Sequence, residues 1–326
     1  MNAIYTPLEF RLLNDFQRGF PLVAAPFAAL AHELASDEAT VLATLGSLRS
    51  QGVVSRVGAV FAPRSIGAST LAALAAPPGR IEELAARVSA RPEVNHNYER
   101  EHRYNLWFVV TAADEAALAA VLAEIAADTA CPVISLPLQD EFHIDLGFDL
   151  AGRGKLHIAA SGAVRRQPTL VERRLIAALQ PGLDLVARPF ARVAAQAGMS
   201  ETEVLARLEV WLDEGTVKRF GVVVRHRELG YKANAMVVFD VPDEEVGAVG
   251  ARLAAERGVT LCYRRRRHLP QWHHNLFCMV HGRSRAEVAP IIARLCCVAG
   301  YRCEVLFSTR RFKQRGAHYF DARAAA

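Results

Sequence analysis

From Leu22 to Ser50, and again from Leu185 to Asp213, apolar residues recur at spacings of three and four within alanine- and leucine-rich stretches. That is the period of an amphipathic helix. Ser36-Asp37-Glu38 and Ser200-Glu201-Thr202-Glu203 each supply an N-cap followed by first-turn acids, the start signal of a helix. After each helical stretch comes a short β-branched run, Gly52-Val53-Val54 and Gly215-Thr216-Val217. Short helices, a turn, a capped helix and a strand predict a winged helix-turn-helix. The pattern then changes to strand, helix, strand, strand, helix, strand. In the second half these elements are predicted at 233–241, 243–256, 259–264, 275–281, 285–296 and 301–307. The first half follows the same plan, with its first strand near 69–76. This order predicts a ferredoxin-like βαββαβ layer, with helices on one face of an antiparallel sheet.

The two halves repeat each other. Leu22-Val23-Ala24-Ala25-Pro26-Phe27 returns as Leu185-Val186-Ala187-Arg188-Pro189-Phe190, an offset of 163 that also relates Gly58 to Gly221 and Gly67 to Gly230. The offset grows to 165 at Tyr98/Tyr263 and Arg100/Arg265, then to 170 at Asn105/Asn275 and Phe142/Phe312. Steps that fall between elements are what loop insertions in a duplicated fold produce. The predicted class is therefore α+β, with two tandem modules. The expected bounds are 1–66 and 168–230 for the helix-turn-helix parts, and 67–153 and 231–326 for the ferredoxin-like parts. The junction is expected between Gly152-Arg153-Gly154 and Gln167-Pro168.

Composition adds limits. The chain has 326 residues, 52% hydrophobic and 22% charged, a globular balance that excludes a disordered polymer. No apolar run reaches the length that spans a bilayer. The N-terminus lacks the basic-then-apolar pattern of a signal peptide, so a cytoplasmic protein is expected. In that compartment the six cysteines are expected to stay unpaired. Cys262, Cys278, Cys296 and Cys297 read as buried packing, and no Cys-x-x-Cys spacing predicts a zinc site.

Net charge is +5, but residues 1–160 hold 12 Lys/Arg against 18 Asp/Glu, and residues 161–326 hold 27 against 16. The second half should meet something anionic. DNA is a poor candidate. A recognition helix needs bases for phosphate and donors for base edges, whereas 36–48 carries two acids and no base, and 200–214 carries five acids and one base. No DNA partner and no membrane partner are expected.

Chemistry-bearing residues concentrate at one corresponding place per module. The first runs from Asn95-His96-Asn97-Tyr98-Glu99-Arg100 through His102-Arg103-Tyr104 to Asn105-Leu106-Trp107-Phe108. The second runs from Cys262-Tyr263-Arg264-Arg265-Arg266-Arg267-His268 through Trp272-His273-His274 to Asn275-Leu276-Phe277, closing on Met279-Val280-His281-Gly282. Arginine holds carboxylates bidentately. Histidine exchanges protons near neutrality and ligates metals. Tyr and Trp offer flat faces to a conjugated ring. Together they describe a place for a flat, polycarboxylated aromatic molecule. Strand alternation turns Arg264 and Arg266 away from Arg265.

These paired strings resemble the siroheme decarboxylases, in their fused two-module form from heme d1 biosynthesis. His96-Asn97-Tyr98-Glu99-Arg100 and Tyr104-Asn105-Leu106-Trp107-Phe108 are similar to one subunit type. Cys262-Tyr263-Arg264-Arg265 and the run from Trp272 to Gly282 are similar to the other. The chain departs from the family pattern at His273-His274, where Pro-Tyr is frequent. The resemblance implies an Lrp/AsnC-like fold and removal of the carboxyl groups of two acetate side chains of siroheme, giving 12,18-didecarboxysiroheme. It implies no cofactor beyond the iron carried by the substrate. The expected catalytic residues are His96, His281 and His102. Substrate contacts are expected from Tyr98, Arg100, Arg103, Tyr263, Arg265, Arg267, Trp272, His273, His274, Arg56 and Arg219; whether a histidine meets the iron is left open, and a homodimer is allowed. The competing readings are a tetrapyrrole-responsive Lrp-like regulator and a non-catalytic siroheme carrier.

Overall fold

The structure is a computed structural model, and it describes residues 5–144, 167–225 and 228–321. The expected junction up to residue 166, with His157 and His226, lies outside the described residues.

Each module opens with three helices and a strand: α1 (Pro7–Asn14), α2 (Pro26–Glu33), α3 (Glu38–Ser50) and β1 (Val54–Phe61) in the first, with β2 (Ala68–Leu74) after it. The first helices start alike. Thr6 caps α1 in a capping box with Glu9, and Thr169 caps α6 (Leu170–Leu179) with Glu172. The predicted caps of the third helices are present: Asp37 accepts from Thr40 N, and Ser200 forms a capping box with Glu203 at α8 (Glu201–Asp213), which follows α7 (Pro189–Ala197). The strands after these helices do not form separate wings. β1 pairs antiparallel with β6 (Val217–Val224) of the other module. Beneath that ribbon the helices of both modules share one apolar core, in which Phe20 meets Phe220 and Phe61 of β1 meets Trp211 of α8. The close packing leaves no room at Gly221, where a Cβ would lie 2.3 Å from the Phe16 carbonyl oxygen.

The ferredoxin-like parts contain β2, α4 (Ile81–Ala90), β3 (Val94–Arg100), β4 (Leu106–Ala112), α5 (Glu115–Thr129) and β5 (Val133–Ile144), then β7 (Ala233–Phe239), α9 (Val246–Ala255), β8 (Val259–Arg265), β9 (Leu276–Gly282), α10 (Arg285–Ala299) and β10 (Cys303–Gln314). Asn105 and Asn275 repeat because each side-chain amide clamps a backbone segment, Ala76 in one module and Val241 in the other. The last strand runs beyond the expected 301–307. Its second half leaves β7 and pairs with β3, just as β5 reaches β8. The eight strands thereby close into one barrel, β10-β3-β4-β2-β5-β8-β9-β7. The two seams carry ion pairs: Arg310 of β10 with Glu99 of β3, and Arg264 of β8 with Asp140 of β5. Helices pack outside the barrel in two separate cores. Inside lies a third cluster, with Trp107, Met236, Trp272, Phe277, Met279 and Leu306.

The cysteine expectation needs correction. Cys296 and Cys303 form a disulfide, because the left-handed turn at Gly300 folds the end of α10 back on β10 and brings the two Cα atoms to 6.3 Å. Cys262 and Cys278 are buried as expected, whereas Cys297 is exposed.

Candidate active site

Strand alternation places His96, Tyr98 and Arg100 on the inner face of β3, and Leu261, Tyr263 and Arg265 on the inner face of β8. The four Tyr and Arg side chains share one interior: charges on Arg100 and Arg265 both act on Tyr263, and Arg100 also senses Tyr98. Arg100 lies 5.9 Å over the Tyr98 ring, and Arg265 lies 4.8 Å over Tyr263. Each guanidinium donates to a carbonyl of the neighbouring strand at 2.9 Å, Arg100 to Leu306 and Arg265 to Leu136. In both, Nε is buried and finds no hydrogen-bond partner among the described residues. Burial lowers the Arg100 pKa to about 10 and lowers that of Arg265 as well. An uncompensated buried cation is costly, so these positions favour an anionic ligand.

His96 stands beside this pair, stacked near Tyr98 with ring centroids 6.2 Å apart, and its Nδ1 meets Asn95 Oδ1 at 2.7 Å. His281, on β9, is held at both nitrogens. Nε2 meets Asn234 Nδ2 at 2.9 Å, and Nδ1 meets Thr260 Oγ1 at 2.9 Å. Asn234 Oδ1 in turn accepts from Arg100 at 3.3 Å. Asn234 and Thr260 were not among the expected site residues. The available signal was Asn234 itself, the only polar residue within 233–239.

A second cluster forms where the β3–β4 and β8–β9 connections meet. Trp272 is its centre, edge-on to Trp107 at 5.0 Å and to His102 at 5.5 Å, with Tyr104 at 6.2 Å and His274 at 5.0 Å. Arg103 covers the Tyr104 ring at 5.2 Å. His102 pairs with Glu304 at 3.3 Å and accepts from Tyr104 N. Burial is the largest influence on His274 and lowers its pKa, against the pull of Glu304 and Asp240. Trp272 Nε1 and His274 Nδ1 are buried with no partner among the described residues.

Other expected contacts go elsewhere. Arg267 is turned onto Asp240, Asp243 and the carbonyls of Val241 and His273, and it pins the loop. His273 is exposed, and its carbonyl serves Arg267. Arg56 and Arg219 lie on the β1–β6 ribbon outside the barrel, where they donate to the carbonyls of Ala59 and of Gln17 and Val222. Arg264 pairs with Asp140 and Asp243 on the outer face, and Arg266 is exposed. Among the described residues no helix is long and apolar enough to cross a membrane.

Comparison with known proteins matches this architecture twice over. An AsnC-like ligand binding domain model matches residues 66–143 and 228–313, and a siroheme decarboxylase NirDL-like HTH domain model matches 9–54 and 172–217. The siroheme decarboxylase NirDL subunit of Paracoccus denitrificans (strain Pd 1222) is 46% identical over 313 residues, covering 95% of this chain and 96% of that one. The siroheme decarboxylase NirD subunit of Stutzerimonas stutzeri is 54% identical over 143 residues, 44% of this chain and 94% of its own length. A crystal structure of the siroheme decarboxylase NirDL superposes with a TM-score of 0.70 at 29% identity, covering 98% of this chain and 97% of that one. A second, in co-complex with an iron-uroporphyrin III analogue, gives 0.69 at 28% identity, covering 98% and 95%. On the family models, the full-length identity and the shared fold, this chain belongs to the siroheme decarboxylase family.

Proposed function

We propose that the chain decarboxylates two acetate side chains of siroheme to give 12,18-didecarboxysiroheme and two molecules of carbon dioxide. The observation that carries this reading is the pair of guanidiniums, Arg100 buried and Arg265 half-buried, that face one interior without a carboxylate partner among the described residues. A polycarboxylated tetrapyrrole supplies the missing anions, and the tyrosine and tryptophan faces supply stacking for its ring. The substrate brings its own iron, and the reading needs no further cofactor.

Each step is balanced by one proton. The bond between the methylene carbon and the carboxylate breaks, carbon dioxide leaves, and the electron pair passes into the pyrrole. A proton delivered to that carbon leaves a methyl group. His96 is the donor in this reading: its ring stands beside Tyr98 on the strand that carries Arg100, and an imidazole exchanges protons near neutrality. The apolar barrel lining around the arms favours the neutral product over the charged reactant. Absence of DNA as a partner is part of the reading, supported by the acids Glu201, Glu203, Glu209 and Asp213 on α8.

The test is anaerobic incubation of purified protein with siroheme, followed by mass spectrometry of the tetrapyrrole. Loss of two carbon dioxide masses is the expected result. Siroheme that binds and stays intact would replace the enzyme reading with that of a carrier.

A further inference from the structure

The hydrogen-bond chain through Asn234 has a fixed direction. A guanidinium only donates, so the oxygen of the Asn234 amide faces Arg100, and its nitrogen must donate to His281 Nε2. Nε2 then carries no proton. The ring proton sits on Nδ1 and is donated to Thr260 Oγ1, whose own proton goes to the Met279 carbonyl at 3.0 Å. The one amide, Asn234 on β7, sets three side chains on three further strands, from both modules: Arg100 on β3, His281 on β9 and Thr260 on β8.

Neighbouring barrel strands are all antiparallel, so β3 and β8, four apart, run the same way and Arg265 faces Arg100 from the opposite wall; among the described residues that wall lacks this chain. Strand register makes Ser69 the counterpart of Asn234 and Thr111 the counterpart of His281: Ser69 faces Thr111 as Asn234 faces His281. Arg265 repeats the carbonyl bond of Arg100, to Leu136 in place of Leu306. Thr111 Oγ1, however, is taken by the C-terminal segment: it donates to the His318 carbonyl at 2.8 Å and accepts from His318 N at 3.1 Å.

We propose that Asn234 is a positioning residue that orients the Arg100 guanidinium and fixes the His281 tautomer together, and that the Arg100 wall of the barrel is the wall at which substrate is processed. The second half of this statement rests on the decarboxylase reading. The first changes the expected part of His281. With Nε2 an acceptor, His281 orients Asn234 and hands no proton to substrate in this state, which leaves His96 as the donor.

The experiment has two readouts. The first needs no substrate: ¹⁵N imidazole shifts of the wild-type protein, with the His281 signal assigned by its loss in His281→Gln. Protonation at Nδ1 is expected, and Asn234→Asp should move the proton to Nε2, because a carboxylate can only accept there. The second is affinity for iron-uroporphyrin III, followed by absorbance. Asn234→Asp places a competing anion on Arg100 and should weaken binding about 10–100-fold, the range for hydrogen bonds to charged groups. Thr260→Val leaves Arg100 untouched: binding should hold while kcat falls about 3–10-fold, the loss of one neutral hydrogen bond. Ser69→Ala, on the opposite wall, should change neither.

A wild-type His281 protonated at Nε2 would overturn the relay. Equal losses of affinity in Ser69→Ala and Asn234→Asp would overturn the choice of wall. If Asn234→Asp does not fold, Thr260→Val and the wild-type spectrum still decide. Intact siroheme with the expected spectra would remove the decarboxylase reading and leave the relay standing.

Discussion

Arg100→Met is expected to weaken iron-uroporphyrin III binding about 10²–10³-fold, the equivalent of about 3–4 kcal/mol for truncating one partner of a buried charge pair. Siroheme kcat/KM should fall by at least as much. The same substitution should leave the melting temperature of the ligand-free protein unchanged or raise it. Arg100 is only 7% exposed and has no carboxylate to compensate it among the described residues, and replacing a buried charge with an apolar chain of similar length is frequently neutral or stabilising. The opposed signs make the prediction sharp. A group kept for architecture would lose stability and affinity together, whereas a group kept for an anionic ligand loses only affinity. Wild-type binding by Arg100→Met, measured by absorbance titration, would remove the guanidinium pair as the basis of recognition.

Trp211→Ala should cost about 3–5 kcal/mol, the usual range for deleting a fully buried large aromatic side chain. Trp211 is 2% exposed and packs edge-on to Phe61, with centroids 6.1 Å apart. Phe61 belongs to the other module, so the loss should not be confined to one helix-turn-helix. Denaturant unfolding followed by circular dichroism should show the helical signal of both modules leaving in one transition, displaced to lower denaturant. A loss below about 1 kcal/mol, or two separated transitions, would mean that the shared core is not a cooperative unit.

The duplication was readable because its signals are local. The Pro26-Phe27 and Pro189-Phe190 helix starts, the Asn105 and Asn275 clamps and the Tyr98-x-Arg100 and Tyr263-x-Arg265 strings each report a geometry set by near neighbours. The closure of the barrel was not readable. Residues 308–314 carry charges where a period-two strand would alternate, and two register shifts against β3 break the period further. That segment is a strand because β3 lies beside it, a long-range fact. The same applies to charge: Arg267 and Arg100 look alike in sequence, yet Asp240 and Asp243 approach the first while Asn234 and a backbone carbonyl approach the second. The Cys296–Cys303 bond is not legible in the sequence, because the fold-back of the α10 end on β10 that brings the two residues together is a tertiary contact.

The two barrel seams have a consequence for how unlike halves find each other. A sheet edge is a ready template for any strand, so two copies of the same half could close a barrel too. The ion pairs at the seams argue against it. Arg310 meets Glu99 at one seam and Asp140 meets Arg264 at the other. If two first halves mated, Asp140 would lie across from Glu99; if two second halves mated, Arg310 would lie across from Arg264. Like charges would face each other in both homotypic unions, and opposite charges only in the mixed one. This is a mating code of the kind that works by repelling the wrong partner.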